Sequence, residues 1–331
     1  MRSLTRAANR RAVRTSIYSP APLERSCWVE SLQESYWDMR PVHHFSIDVE
    51  EYFHPTALAA HFAPEGWDGL ERRSPGVVIR LLDFLAERDT QGTFFVLGWL
   101  AEKEPEMVQA IADAGHEVAS HGFEHALLGD LGPEGFRASV RRSKDVLEDI
   151  VGEEVQGYRA PSFSIIPGRE WAFDILLEEG YRYDASLFPV TQHPTYGYPE
   201  APRDPFWIDR PAGRLAEFPS TTASIFGNTL PASGGAYFRL LPYRLLQTGL
   251  RQAEGRAEPG MFYLHPWELD DWTPRVDAPR LQRIRTFAGR RRTWRRMDRL
   301  LREFEFGRVD AHLVRLMERG GVPTLTFDQV T

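Results

Sequence analysis

A chain of 331 residues, 42% hydrophobic and 26% charged, has the composition of a globular protein and the length for an α/β barrel with appendages. Its formal charge of -7 argues against general nucleic-acid binding, because neutralising phosphates takes a basic surface. The single cysteine, Cys27, excludes an intrachain disulfide, and no apolar run is long enough to span a bilayer.

The chain opens on an arginine-rich stretch, Met1 to Arg14, without the apolar core of a secretory signal. Residues 1–40 therefore read as a tail, poorly ordered or the product of a misassigned start, and the cytoplasm is the expected compartment. Val42 to Glu50 alternates apolar and polar residues as a strand does, so Asp48 and Glu50 share one face and Val49 takes the other. Two carboxylates on one face at a strand end repel unless a cation or a shared proton relieves them; a surface acidic patch is the alternative. Ser74 and Pro75 open a helix whose apolar positions, Val77, Val78, Leu81, Leu82 and Leu85, follow the 3.6 period. Thr93 to Gly98 is a short buried strand, Pro105 to Ala114 a helix, and Glu117 to Ser120 another strand.

That strand delivers His121 and His125, four residues apart with Gly122 between. The pair suits a metal site and, equally, a helix cap or a solvated face. A helix over about 133–151 follows, then a strand leading to Arg159, a helix over 169–179, and Tyr181 to Ser186 ending at Asp184. Residues 188–238 read as a loop-rich insertion of short strands and loops, long enough to shape a cleft. Leu241 to Arg251 is a helix, and Gly260 to Glu268 is a strand that ends in His265. The alternation predicts a parallel sheet, and its repetition favours a barrel over an open sheet, with functional groups gathered at the C-terminal strand ends. The arginine run within 280–302 reads first as a solvated helix face and second as a site for an anionic partner such as a lipid-phosphate-linked glycan.

Five short stretches in order, Ser46–Glu50, His121–His125, Arg159–Phe163, Tyr183–Ser186 and Leu264–His265, resemble the motifs of the NodB-homology polysaccharide deacetylases, carbohydrate esterase family 4. The Asp-Val-Glu-Glu-Tyr-Phe start at Asp48 and the Phe-Tyr-Leu-His-Pro-Trp-Glu segment at Phe262 look most like the subgroup found with bacterial exopolysaccharide and exosortase loci. The resemblance covers about residues 42–270. It implies a distorted (β/α) barrel of the NodB type over 41–270 including the insertion, a helical C-terminal extension over 271–331, and one divalent metal, usually zinc, with cobalt or another divalent ion as substitutes.

In that scheme His121 and His125 are metal ligands and Asp48 is the general base that takes a proton from water. His265 protonates the leaving amine, Asp184 tunes His265, and Arg159 orients Asp48. Val49 stands where many members carry a metal-binding aspartate, so Glu50 is the expected third ligand and Glu51 its rival. Tyr52, Pro161, Phe163 and Trp267 are the candidates for substrate contact. The implied activity is hydrolysis of N-acetyl groups on an amino-sugar glycan, with a small-molecule amidase or an inactive glycan-binding protein as alternatives.

Overall fold

The computed structural model describes residues 14–16, 41–191, 196–272, 274 and 276–327. Of the tail expected over residues 1–40, only β1 (Arg14–Ser16) is described; the rest lies outside the described residues. The central strand is β2 (His43–Val49), buried throughout. Its alternation divides the molecule: Phe45, Ile47 and Val49 join the large apolar cluster under the helices, while Ser46 and Asp48 face the barrel interior, where both bond to Arg159.

α1 (Ser74–Ala86) buries Val78, Leu81, Leu82 and Leu85, spaced i, i+3, i+4 and i+7, each contributing about 1.5–3 kcal/mol by leaving water. Ser74 begins the helix rather than capping it: its N–H donates to Glu51 Oε1 (2.7 Å) and its hydroxyl to the Glu50 carbonyl (2.8 Å). β3 (Thr93–Val96) is shorter than expected because α2 (Gly98–Lys103) starts at once. A Cβ on Gly98 would sit 2.6 Å from the Phe123 ring, so only glycine permits this close crossing. α3 (Pro105–Asp113), β4 (Glu117–Ser120) and α4 (Leu128–Val151) follow; α4 is broken at Gly132, and its regular part starts at Pro133 as expected. β5 (Gly157–Tyr158), α5 (Trp171–Glu178) and β6 (Tyr183–Asp184) complete this half.

The stretch read as an insertion does more than shape a cleft. It forms β7 (Phe206–Arg210), β8 (Gly213–Glu217), β9 (Thr222–Ile225) and β10 (Asn228–Pro231), and β8 pairs in parallel with β6 as a further barrel strand. α6 (Gly235–Leu240) and α7 (Tyr243–Glu254) precede β11 (Met261–Leu264). The C-terminal extension contains α8 (Arg280–Phe287), α9 (Thr293–Glu303), β12 (Phe306–Gly307), α10 (Val309–Glu318) and β13 (Thr324–Thr326). It is thus not purely helical, because β12 pairs with β2 and β13 with β7.

Strand order is β1-β13-β7-β8-β6-β5-β4-β3-β2-β11, and every pairing from β8 to β11 is parallel. Among the described residues β8 and β11 do not pair; the gap is laced by Met261 N–H on Thr221 Oγ1 (2.6 Å) and Tyr263 N–H on the Ser233 carbonyl (3.2 Å). The result is a distorted (β/α) barrel. Its lower interior is filled by Phe95, Ala119, Tyr183 and Met261 against Val309, Leu313 and Leu316 of α10, which plug the N-terminal end of the strands. No described helix is long and apolar enough to cross a membrane.

Candidate metal centre and active-site cleft

The C-terminal strand ends open into a cleft of about 570 Å³. β2 brings Asp48 and Glu50 to it, the end of β4 brings His121 and His125, and the turn after β11 brings His265. Asp48 is 2% exposed, and its Oδ1 lies 2.6 Å from Arg159 Nη1. Arg159 is fully buried and also donates to Ser46 Oγ and the Ala185 carbonyl, with its guanidinium 4.0 Å from the centroid of the Phe95 ring. A buried charge is tolerable only with such partners. The pairing leaves Asp48 Oδ2 free to face His265 Nε2 at 3.8 Å.

Donor atoms of Glu50, His121 and His125 lie within 4.8 Å of one another, the one group among the described residues with the makings of a metal site. His121 Nδ1 is 2.8 Å from the Arg159 carbonyl; since a carbonyl only accepts, Nδ1 carries the proton and Nε2 presents a lone pair. Burial lowers the His121 pKa to about 4, so the ring is neutral near pH 7. His125 Nε2 is 2.7 Å from Glu50 Oε2, and its backbone sits in the left-handed region at φ 53, strained for a non-glycine residue. Burial alone would raise the Glu50 pKa, but His125, His265 and His121 outweigh it and hold the carboxyl well below its usual range. Two imidazoles and a carboxylate, converging and nearly buried, fit a divalent ion, and His125 Nδ1 and Glu50 Oε2 have no hydrogen-bond partner of their own.

Val49 is fully buried on the opposite side, so the carboxylate at this site is Glu50. Glu51 is committed elsewhere: Oε1 takes the Ser74 N–H, and its own N–H donates to His54 Nδ1 (2.9 Å). Burial raises its carboxyl to about 7.

Other expected residues fall in different places. Asp184 does not serve His265; it bonds Ser186 Oγ (2.5 Å) and shares its environment with Glu217, and burial raises both carboxyls. Ser186 in turn accepts the Ala160 N–H, so Asp184 supports the backbone that carries Arg159. The residue on His265 Nδ1 is Glu268, at 2.8 Å. Burial would lower the His265 pKa, but Glu50, Glu268 and Asp48 raise it to about 9. Trp267, expected as a substrate contact, belongs to the cluster itself: its indole N–H donates to Glu50 Oε1 (2.9 Å), and its ring stacks on His265 at 5.1 Å.

Tyr52 is buried among Phe53, Phe62 and Trp272 and does not line the cleft; nor does Pro161, which is also buried. Phe163 does line it, and so do Ser162, Tyr196, Tyr237 and Tyr263, which the sequence did not single out for the cleft. Glu268 had a legible signal, because histidine followed three residues later by glutamate has the spacing of a capping box, and that box forms. The arginine run is not simply solvated either. Arg290 is 6% exposed and donates to the Trp267 carbonyl (3.0 Å), and Arg296 donates to the carbonyls of Phe238 and Leu241.

Fold and site together define a (β/α)-barrel protein with a His-His-carboxylate cluster beside an aspartate and a histidine at its mouth. Residues 67–167 match the polysaccharide deacetylase family model. Residues 185–314 match a domain of unknown function (DUF3473). A peptidoglycan-N-acetylglucosamine deacetylase of Bacillus cereus is 30% identical over 94 residues, which is 28% of this chain and 34% of that protein, so the likeness spans about a third of the relative. Among solved structures, a Mycobacterium smegmatis protein provisionally described as a polysaccharide deacetylase aligns over 95% of this chain and all of its own, with a TM-score of 0.59 and 20% identity. Puue allantoinase aligns over 85% and 91% at a TM-score of 0.55 and 16% identity. At these identities the two structures speak for the fold alone.

Proposed function

We propose that this protein is a metal-dependent deacetylase that hydrolyses N-acetyl groups on an amino-sugar glycan. The observation that carries the reading is the approach of Asp48 Oδ2 and His265 Nε2 to 3.8 Å, beside the Glu50, His121 and His125 donors and open to the cleft. Those three side chains would hold a divalent ion, zinc best matching two imidazoles and a carboxylate, and the ion would supply Lewis acidity.

The chain's own residues handle the protons. Arg159 occupies one Asp48 oxygen, leaving the other to accept a proton as water adds to the acetyl carbon. His265, held protonated by its three carboxylate neighbours, gives its proton to the nitrogen as the C–N bond breaks, releasing acetate and a free amino sugar. Phe163, Tyr196, Tyr237 and Tyr263 give the cleft an aromatic wall of the kind that packs against sugar rings. A glycan substrate also suits the likeness to the Bacillus cereus peptidoglycan-N-acetylglucosamine deacetylase. The setting we favour is exopolysaccharide assembly, supported by the motif resemblance at Asp48 and Phe262.

The test loads metal-stripped protein with zinc and follows acetate release from chitooligosaccharides. We expect one ion per chain, and loss of both ion and release in His125→Ala. Glu50→Ala should lose the metal while Glu51→Ala retains it. Failure to bind metal, or undiminished release by His125→Ala, would sink the reading.

A further inference from the structure

The turn after β11 carries three functional side chains in four residues: His265, Trp267 on Glu50, and Glu268 on His265. A short 3-10 turn has little stiffness of its own, yet Glu268 must hold an imidazole at hydrogen-bond distance while fully buried. Its second oxygen, Oε1, accepts from Arg239 Nε, in an ion pair whose partners are 0% and 1% exposed at their side chains. The guanidinium of Arg239 is then exhausted by two backbone carbonyls of the C-terminal extension: Nη1 donates to Ala288 and Nη2 to Arg285 (2.9 Å).

Two more side chains of the extension reach the same turn. Arg290 Nη1 donates to the Trp267 carbonyl (3.0 Å), and Trp294 Nε1 to the Leu269 carbonyl (2.9 Å). The chain can approach this closely because position 289 is glycine in the left-handed region, φ +84; a Cβ there would meet the Arg239 carbonyl at 2.7 Å.

We propose that residues 285–294 are a clamp on the His265–Leu269 turn, and that Arg239 and Glu268 are the positioning residues through which the clamp fixes the His265 ring. The inference rests on the reading of His265 as the proton donor to the leaving nitrogen. It also gives the region 185–314 a task that its family description leaves open. Neither Arg239 nor Glu268 reacts. With the Glu268 carboxylate on Nδ1–H, the ring is turned so that Nε2 faces Asp48 and the cleft.

The experiment compares Glu268→Gln, Glu268→Asp and Gly289→Ala with the parent protein. Each is assayed for kcat and KM on the same glycan, for metal content, and by 1H–15N spectroscopy of the His265 imidazole, with and without zinc. For Glu268→Gln we expect kcat to fall about 10–100-fold, the usual range for residues that orient a functional side chain, with KM and metal content held within about twofold. The Nδ1 proton signal should move upfield as its carboxylate acceptor is lost. Glu268→Asp, which keeps the charge on a shorter arm, should recover part of both. Gly289→Ala, which crowds the Arg239 backbone, should shift the same signal in the same direction.

An unchanged His265 signal in both Glu268→Gln and Gly289→Ala overturns the clamp. A parent protein that releases no acetate, combined with the expected signal changes, overturns the deacetylase reading and leaves the clamp standing.

Discussion

The two ends of the barrel interior use the same kinds of side chain to opposite ends. At the floor, Glu117 is buried with both oxygens bonded: Oε1 to Tyr183 Oη (2.8 Å), Oε2 to Thr93 Oγ1 (2.5 Å) and to the Asp310 N–H (3.1 Å), with α10 closing over it. At the mouth, Glu50 is as deeply buried, but Oε2 has no hydrogen-bond partner beyond its contact with His125, and the group faces an open cleft. The floor carboxyl is raised to about 7 by burial and the repulsion of Asp310, whereas that of Glu50 is held low by imidazoles. Burial of a carboxylate therefore marks no function by itself; what separates the two is whether its lone pairs are already spent.

The comparison breaks first, if it breaks, at Asp48. Asp48→Asn should lower acetate-release kcat by about 10²–10⁴-fold while metal content stays near one per chain; unchanged turnover would make the mouth another structural network. Next comes the floor, where Glu117→Ala removes a buried group and orphans the Tyr183 hydroxyl and the Asp310 N–H. We expect a loss of about 2–4 kcal/mol in urea unfolding, with kcat of the folded fraction unchanged.

The pH dependence sharpens the same point. Because Glu117 has a folded pKa of about 7 against 4.5 for the free group, its contribution to stability is fully present below about pH 4.5 and is lost as pH rises to about 7, at most about 3 kcal/mol. The buried histidines His43 and His312, lowered to about 4, tilt stability the other way over pH 4–6.5 but are common to both proteins. Subtracting the unfolding curve of Glu117→Gln from that of the parent should therefore isolate a decline towards neutral pH, and a flat difference would refute it. The smallest effect belongs to Tyr183→Phe, about 1 kcal/mol of stability with no change in turnover.

Much of the mouth was legible because a strand has a period of two. Asp48, Glu50 and Val49 sort themselves onto faces, and the strand ends of β2, β4 and β11 collect in one place once the sheet is parallel. Tyr52 lies off the cleft because β2 ends at Val49 and the chain turns into the aromatic cluster of Phe53 and Phe62. Asp184 was given His265 as a partner by resemblance, whereas Glu268 sat three residues away at a spacing that local hydrogen bonding favours.

Arg239 and Arg290 had no readable signal. An arginine becomes buried when carbonyls and carboxylates meet it, and for Arg239 those lie 29 to 49 residues along the chain. The barrel role of β8 is not readable in its five residues, Gly213–Glu217, which have little apolar alternation; it comes from pairing with β6.

The joint between β2 and β11 also sets a timetable. Ser46 and Phe262, bonded across that joint, are 216 residues apart in the chain. At a synthesis rate of about 5–20 residues per second, roughly 10–40 s separate the emergence of the two strands. Throughout that interval one edge of β2 waits without its partner, while Phe45, Ile47 and Val49 compete for any other apolar surface, including a second nascent chain. Substitutions in β2 should accordingly be felt first as a lower yield of soluble protein in the cell, before they register as a lower melting temperature of the protein that does fold.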